Sequence, residues 1–220
     1  MPFVPKDKIF AAICTCLVVT ACNADTEAPK PAPESTNPNV LMIIVDDMND
    51  WIGAMGGHPD TKTPNMDRLA EQGTLFMNAH ATAAICGPSR ASVMTGLLPS
   101  TTGIYGQLSD RDIKKAGPAT ENITFLTEYF GQHGYKTMGI GKIFHNGAPD
   151  GSIEQYGGRI KGFGPHPEEE FAWDSDATNT DWGVFPEHDE DMIDYKSAVW
   201  AKERLAEQHD RPFFLAVGYI

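Results

Sequence analysis

The stretch that decides the fold is NVLMIIVDD, at residues 39–47. Its apolar part, Val40–Val45, is uninterrupted, and such a run is typical of a strand buried on both faces of a parallel sheet. A second apolar run, PFFLAVGYI, occupies residues 212–220, and a shorter strand is predicted at Lys136–Gly141. Helical patterns lie between these strands. The sequence therefore predicts an α/β fold with a mostly parallel sheet flanked by helices.

Four helices and one further strand complete the predicted elements. The helices are expected at residues 64–72, 88–98, 124–133 and 194–208, and the strand at 75–81. The first helix is well marked, because Thr63 and Pro64 are typical of a helix start and Gly73 of a helix end. Because the chain ends inside its last predicted strand, we expect the domain to be incomplete at its C-terminus.

The composition excludes two classes of protein. The chain has 30 acidic and 17 basic residues and a formal charge of −13, whereas a nucleic-acid binder normally carries a basic surface. No apolar run reaches the ~20 residues that a membrane-spanning helix needs. Hydrophobic residues make up 41% of the chain, which is enough for a packed core.

The N-terminus carries the pattern of an export signal. Lys6 and Lys8 precede a mostly apolar stretch at residues 9–19, and the sequence Val-Thr-Ala-Cys then ends at Cys22. This order is typical of a bacterial lipoprotein signal peptide at residues 1–21. Its cleavage would leave a lipidated Cys22 as the mature N-terminus. An ordinary signal peptide with a chance cysteine at the cleavage site is the alternative.

The next segment is typical of a spacer. Residues 22–39 are rich in proline and polar side chains, and such sequence stays extended because it cannot bury apolar area. It would tether a folded domain at residues 40–220 to a membrane of the bacterial envelope, in the periplasm or at the cell surface. Cys86 would then be the single cysteine of the folded domain, which is unusual in an exported protein.

Two aspartates follow the first predicted strand directly. Asp46 and Asp47 would lie at the carboxyl end of the sheet, where ligands bind in open α/β folds. Adjacent carboxylates repel each other unless a cation joins them, and hard oxygen ligands suit Ca²⁺ or Mg²⁺. A solvated turn is the alternative.

The sequence Cys86-Gly-Pro-Ser-Arg90 predicts an oxyanion site at a helix start. Pro88 suits the first turn of a helix, so Cys86 would lie near the positive end of the helix dipole. Arg90 would add a fixed cation with forked donors. A small buried thiol at a helix start is the alternative. A cysteine phosphatase has five residues between the two side chains, and this sequence has three.

A third group follows the strand at Lys136–Gly141. Lys142 and His145 supply a cation and an imidazole three residues apart. The sequence is not a phosphate-binding P-loop, since isoleucine follows Lys142 where that loop has serine or threonine. A surface charge is the alternative for Lys142 alone. Together with the other two groups, it predicts a convergent anion site.

These segments together resemble the type I sulfatases of the alkaline-phosphatase-like superfamily. The matching stretches are NVLMIIVDD, TPNMDRLAEQGTLFMNAHA, CGPSRASVMTGLLPSTTGIY and GYKTMGIGKIFH. The end of the chain, DYKSAVWAKERLAEQHDRPFFLAVGYI, is most similar to the iduronate-2-sulfatase branch. The resemblance covers residues 39–220. It implies an alkaline-phosphatase-like fold and a sulfuric ester hydrolase acting on a sulfated small molecule or glycan.

The resemblance also implies roles for the candidate residues. A formylglycine-generating enzyme would oxidise Cys86 to Cα-formylglycine, whose hydrate attacks the sulfur of the ester. Asp46, Asp47 and the oxygen derived from Cys86 would hold Ca²⁺, in preference to Mg²⁺. Arg90 would stabilise that oxygen, while Lys142 and His145 would contact the sulfate.

The chain departs from the family's pattern at its end. The family takes further metal ligands and another lysine from downstream of the PFFLAVGY strand, and this sequence ends at Ile220. We therefore expect the isolated chain to bind Ca²⁺ poorly and to hydrolyse little. Two other functions stay open: a phosphate or phosphonate ester hydrolase of the same superfamily, and a non-catalytic, lipid-anchored binding protein.

Overall fold

A computed structural model of the chain describes residues 37–168 and 183–220. In these ranges four strands form one sheet in the order β1-β4-β2-β3, and every neighbouring pair is parallel. The strands are β1 (Val40–Val45), β2 (Lys136–Gly141), β3 (Gln155–Tyr156) and β4 (Phe213–Tyr219). The predicted α/β class with a mostly parallel sheet is confirmed. The predicted leader and tether at residues 1–21 and 22–39 lie almost wholly outside the described residues.

Five α-helices surround the sheet in the described part of the chain. They are α1 (Pro64–Gln72), α2 (Cys86–Thr95), α3 (Pro99–Thr102), α4 (Leu126–Gln132) and α5 (Ile193–Ala206). Short 3-10 helices occur at Gly53–Met55, Asp110–Lys115 and Asp189–Asp191. No helix in the described ranges is long and apolar enough to cross a membrane.

The core lies on both faces of β4. Phe214 and Ala216 pack on one face, against residues from α2 and from the segments around α4. Leu215 and Val217 pack on the other face, where α5 covers β4 and β2. This two-sided burial explains why the sequence of β4 is apolar throughout.

The sequence-based predictions fail at three places. The strand predicted at residues 75–81 is irregular chain. None of the described strands pairs with this segment, and an unpaired strand would leave its backbone N–H and C=O groups without hydrogen-bond partners. The helix predicted at 88–98 begins two residues earlier, at Cys86, and ends at Thr95 because Gly96 adopts a left-handed conformation (φ 71°). β1 packs only one face against the core, where Val40, Met42 and Ile44 are partly buried, while Leu41 and Ile43 on the other face are 46% and 52% exposed.

Candidate active site

Asp46 lies at the carboxyl end of β1, as predicted. Its backbone N–H donates to Tyr219 O over 3.2 Å, which extends the pairing of β1 with β4 by one residue. Asp47 then turns the chain away with a positive φ of 50°, a conformation that aspartate tolerates better than most residues. The side chain of Asp46 is therefore held against the sheet edge, while Asp47 is exposed.

Arg90 lies in the first half of α2 and points toward the same edge. It is buried, and its Nη2 donates to Asp46 Oδ1 over 2.7 Å. Its Nη1 donates to the carbonyl oxygens of Lys142 and Ile143. One guanidinium thus connects the chain after β1 with the chain after β2, as its forked donors allow.

Lys142 is positioned by a close backbone approach at the ends of β2 and β4. Gly141 has a φ of 80°, and a Cβ at that position would lie 2.0 Å from Gly218 O. The backbone N–H of Lys142 donates to Gly218 O over 2.8 Å. The lysine side chain is buried and its Nζ donates to Asp46 Oδ2. The alternative of a surface charge is therefore wrong for Lys142.

Asp46 is consequently a buried carboxylate between two cations. Burial raises the pKa of Asp46, but the hydrogen bonds and the positive charges of Arg90 and Lys142 outweigh it, so the pKa lies below its ordinary value. Both buried cations have their counter-charge in Asp46. The Asp46 carboxylate therefore stays ionised at neutral pH, with two basic side chains gathered around it at this edge of the sheet.

Cys86 is the first residue of α2, where the helix dipole favours negative charge. Its Sγ lies 3.2 Å from His145 Nδ1 and accepts a hydrogen bond from Gln107 Nε2 over 3.1 Å. The thiol is free and half-buried. The structure therefore brings Cys86 and His145, which are 59 positions apart, into direct contact.

The pKa of His145 lies below its ordinary value. Burial is the main cause, and the positive charge of Lys142 adds to it, while the charge of Asp110 opposes both. The imidazole is therefore neutral at neutral pH. A neutral ring can accept a proton or donate a hydrogen bond, depending on which nitrogen carries hydrogen.

Asp110 holds the segment that carries His145. It is 3% exposed, and its carboxylate accepts hydrogen bonds from the backbone N–H groups of His145, Asn146 and Gly147. Burial raises the pKa of Asp110 above its ordinary value, although these hydrogen bonds lower it in part. Asp110 thus fixes the backbone position from which His145 reaches Cys86.

Four of the six predicted residues line one cavity of about 320 Å³. Its walls include Asp46, Asp47, Cys86 and Arg90, together with Ser89. The three groups that the sequence suggested therefore meet at the carboxyl edge of the sheet, with Lys142 and His145 bonded to members of this set.

The candidate metal ligands of this chain are of the type that Ca²⁺ prefers, but they are too few to complete its coordination. The two carboxylates are hard oxygen ligands, and Ca²⁺ takes six to eight such ligands. In the described ranges, no three histidine, cysteine, aspartate or glutamate side chains form a group that could hold a metal ion. Asp46 and Asp47 can therefore supply only part of a shell.

Sequence reasoning missed Gln107 and Asp110. Both lie in the polar stretch GQLSDRD at residues 106–112, which looks like an exposed loop. The one sequence feature that could have indicated Gln107 is its position just after the TTGIY segment, which follows α2 in the chain. Neither side chain has a periodic pattern around it that would predict burial.

Comparison with known proteins identifies relatives along most of the chain. A family model described as Sulfatase matches residues 38–220. A sulfatase of Formosa agariphila is 46% identical over 226 residues, which cover 97% of this chain and 44% of that protein. The iduronate 2-sulfatase of Homo sapiens is 32% identical over 230 residues, covering 96% of this chain and 38% of that protein. The chain therefore spans less than half the length of these relatives.

Solved structures support the same fold at lower identity. A 2-O GAG sulfatase has a TM-score of 0.55 at 21% identity and covers 83% of this chain and 34% of its own. The phosphonate monoester hydrolase of Agrobacterium radiobacter has a TM-score of 0.55 at 22% identity and covers 84% and 41%. These likenesses confirm the predicted alkaline-phosphatase-like fold.

Proposed function

The chain belongs to the sulfatase family, and from that premise we propose that the complete protein is a sulfuric ester hydrolase that releases sulfate from a sulfated carbohydrate. The observation that carries the proposal is the meeting of Cys86, Arg90 and Asp46 around one cavity at the sheet edge, with Lys142 bonded to Asp46. Such preorganised positive charge stabilises an oxyanion where negative charge develops.

The mechanism follows from what each side chain can do in place. Arg90 and Lys142 are buried cations that would attract the sulfate group and hold its oxygens. Asp46 keeps both of them oriented by accepting from each. His145 is neutral and touches Cys86 Sγ, and in this proposal it would move a proton at that residue or toward the departing alcohol.

Two groups that the structure does not contain belong to this proposal. Formylglycine at Cys86 would supply a hydrated aldehyde as the nucleophile, which a thiol cannot replace because it has no second hydroxyl. Ca²⁺ would supply a Lewis acid for the ester oxygens, and Asp46 and Asp47 would hold it with ligands from elsewhere. The position of Cys86 at the start of α2, half-buried and unpaired, is compatible with its conversion.

A sulfated sugar is the substrate class that the relatives favour. The iduronate 2-sulfatase of Homo sapiens is named for a sugar acid, and the 2-O GAG sulfatase for a sulfated glycan. The cavity at Cys86 is open enough for a ligand, at about 320 Å³. We further propose export and lipid anchoring through Cys22, on the sequence pattern alone.

The test measures modification and turnover in the same samples. The protein, in the full length that its gene encodes, is co-expressed with a formylglycine-generating enzyme, and the Cys86 peptide is analysed by mass spectrometry. We expect conversion of Cys86 and hydrolysis of 4-nitrophenyl sulfate. Cys86→Ala should abolish both. An unmodified Cys86 together with no hydrolysis would contradict the proposal.

Lys142 provides a matched comparison for the cationic site. Lys142→Met should lower kcat about 100-fold or more, the size expected when one donor to a developing oxyanion is removed. Lys136→Met is the control, because Lys136 begins the same strand and pairs with Glu207 outside the cavity. Equal effects of the two variants would remove Lys142 from the sulfate site.

Phosphonate ester hydrolysis is the second candidate function. The structural likeness to the phosphonate monoester hydrolase favours it, since the same cationic cavity would accept either oxyanion. Assays with 4-nitrophenyl sulfate and a 4-nitrophenyl phosphonate, run in parallel, separate the two. A higher kcat/KM for the phosphonate would favour this alternative.

A further inference from the structure

A second cavity borders the segment that directly follows His145. Its volume is about 440 Å³, within the range of small-molecule sites. We call it the Arg159 cavity, and its walls include Ser109, Arg111, Asn146, Gly147, Tyr156 and Arg159. None of the roles proposed for the Cys86 site uses these side chains.

The Arg159 cavity adjoins the Cys86 site through the backbone. Asn146 and Gly147 in its wall directly follow His145, whose ring touches Cys86. Burial is the main influence on the pKa of both His145 and Tyr156, lowering the first and raising the second, and the charge of Arg159 lowers both. Arg159 and Tyr156 both flank Gly147, since a Cβ at Gly147 would lie 4.0 Å from Arg159 Cβ and 3.7 Å from the Tyr156 hydroxyl.

Arg159 has unused donor capacity. Its Nε is buried and has no hydrogen-bond partner in the described part of the chain. Buried polar atoms are normally paired, so the contacts within the described chain do not use the full donor capacity of this guanidinium. The planar fork of a guanidinium matches the two oxygens of a carboxylate or a sulfate.

The acidic residues of the cavity, Asp110 and Asp150, form no described ion pair or hydrogen bond with Arg159. Asp110 directs its carboxylate at the backbone N–H groups of residues 145–147. Asp150 lies 3.8 Å from Arg111, and the two side chains are 93% and 74% exposed. Such an exposed pair is weak, so Arg111 is free to turn toward a bound anion.

We propose that the Arg159 cavity binds a second anionic group, a carboxylate or a further sulfate, on the sugar whose sulfate ester lies at Cys86. The inference rests on the proposed function, because it takes the Cys86 cavity as the site of the scissile sulfate. That sulfate has its own cations in Arg90 and Lys142. The two arginines of the second cavity therefore select among sulfated sugars.

The experiment compares the binding of three probes. They are a hexose carrying one sulfate, a hexuronic acid carrying one sulfate, and a hexose carrying two sulfates. Dissociation constants are measured by ligand-observed NMR titration with the protein in its full encoded length. We expect the wild type to bind at least one dianionic probe about tenfold more tightly than the monosulfated hexose, as charged hydrogen bonds allow. The probe that shows the preference identifies the group.

Variants of the cavity residues test whether the preference for dianionic probes arises from the Arg159 cavity. Arg159→Gln should abolish it, Arg159→Lys should restore part of it, and Arg111→Gln, a change at an exposed side chain, should weaken it. Arg68→Gln is the matched control, because Arg68 is an exposed arginine on α1 outside both cavities. Loss of affinity for all three probes in Arg159→Gln would indicate a general defect and would overturn the assignment.

Turnover separates this inference from the proposed function. If the wild type fails to hydrolyse 4-nitrophenyl sulfate, the proposed function fails, while the binding preference still decides whether the second site exists. If the wild type is active but binds all three probes equally, or if Arg159→Gln keeps the preference, the second site is disproved. In active protein, Arg159→Gln should raise KM for the dianionic substrate much more than KM for 4-nitrophenyl sulfate.

Discussion

Asp46 and Asp110 both bind the segment that follows β2, but with different partners. Asp46 accepts hydrogen bonds from two cationic side chains, Arg90 and Lys142. Asp110 accepts only from backbone N–H groups, those of residues 145–147. The first contact fixes the charges of the site, and the second fixes the backbone that carries His145.

The two carboxyl groups consequently shift in opposite directions. Burial raises the pKa of each, but at Asp46 two full positive charges reverse the effect, whereas the peptide dipoles at Asp110 do not. Burial alone therefore does not determine whether a carboxylate is easy to ionise. The kind of partner determines it, and the following predictions test that conclusion.

The largest effect is expected at Asp46. Asp46→Asn leaves Arg90 and Lys142 buried without a counter-charge, which should lower the free energy of unfolding by about 3–5 kcal/mol. Adding Lys142→Met to this variant should recover part of the loss, because one uncompensated charge is removed. Urea denaturation followed by circular dichroism measures both.

Asp47→Asn is the control for Asp46. Asp47 is the neighbouring carboxylate, it is exposed, and asparagine tolerates its positive φ. The change should alter the free energy of unfolding by no more than about 0.5 kcal/mol. If Asp46→Asn costs as little as this, the cations of the cluster are solvated and the contrast with Asp110 disappears.

A smaller loss is expected at Asp110. Asp110→Ala leaves three backbone N–H groups without their acceptor, and these donors are neutral, so the cost should be about 2–3 kcal/mol. Asp112→Asn is the control, since Asp112 pairs at the surface with Lys115. A cost equal to that of Asp46→Asn would mean that dipoles hold a carboxylate as strongly as charges do.

The pH dependence at Asp110 has a defined sign. Its pKa is raised in the folded protein, so the folded state keeps this proton at a pH where the unfolded chain, with a pKa of about 3.9, has lost it. The contribution to stability is full below the unfolded pKa and declines as the pH rises through the folded pKa.

Asp110→Asn, which cannot titrate, isolates this contribution. The free energy of unfolding of the wild type minus that of the variant should decrease as the pH rises from below the unfolded pKa through the raised pKa of the folded state. Urea denaturation at a series of pH values gives the difference. An increase with pH would show that the pKa of Asp110 is lowered, and Asp110 would then behave as Asp46 does.

The two aspartates also differ in how far their positions could be predicted from the sequence. β1 and β4 were predictable from their continuous apolar runs, and β2 was predicted as a shorter strand with the sequence KTMGIG. Parallel strands bring their carboxyl ends to one edge of the sheet. Asp46 and Lys142 directly follow two of these strands, so their meeting follows from topology. Cys86 and Arg90 were predictable as residues near a helix start because Pro88, which lies in the first turn of α2, suits that position.

Other features depend on tertiary contacts that leave no local pattern. Asp110 and Gln107 lie in a polar stretch, and they contact the site only because the chain returns past His145 and Cys86. The segment at residues 75–81 has the composition of a strand, but strand formation needs a partner edge. The types of residue in these segments predict neither the tertiary contacts of Asp110 and Gln107 nor the absence of a partner strand for residues 75–81.

Gln107 offers the weakest contact of the comparison, a single hydrogen bond from a neutral amide to Cys86 Sγ. Gln107→Ala should slow the alkylation of unmodified Cys86 by iodoacetamide only about twofold to fivefold, as expected for one neutral hydrogen bond. Gln132→Ala, at the end of α4, is the control. The readout is alkylation rate at pH 7.5 by mass spectrometry. A 100-fold or larger decrease in the alkylation rate would mean that one neutral hydrogen bond affects Cys86 as strongly as a charged group would. The difference found between charged and neutral partners at Asp46 and Asp110 would then not apply to Cys86.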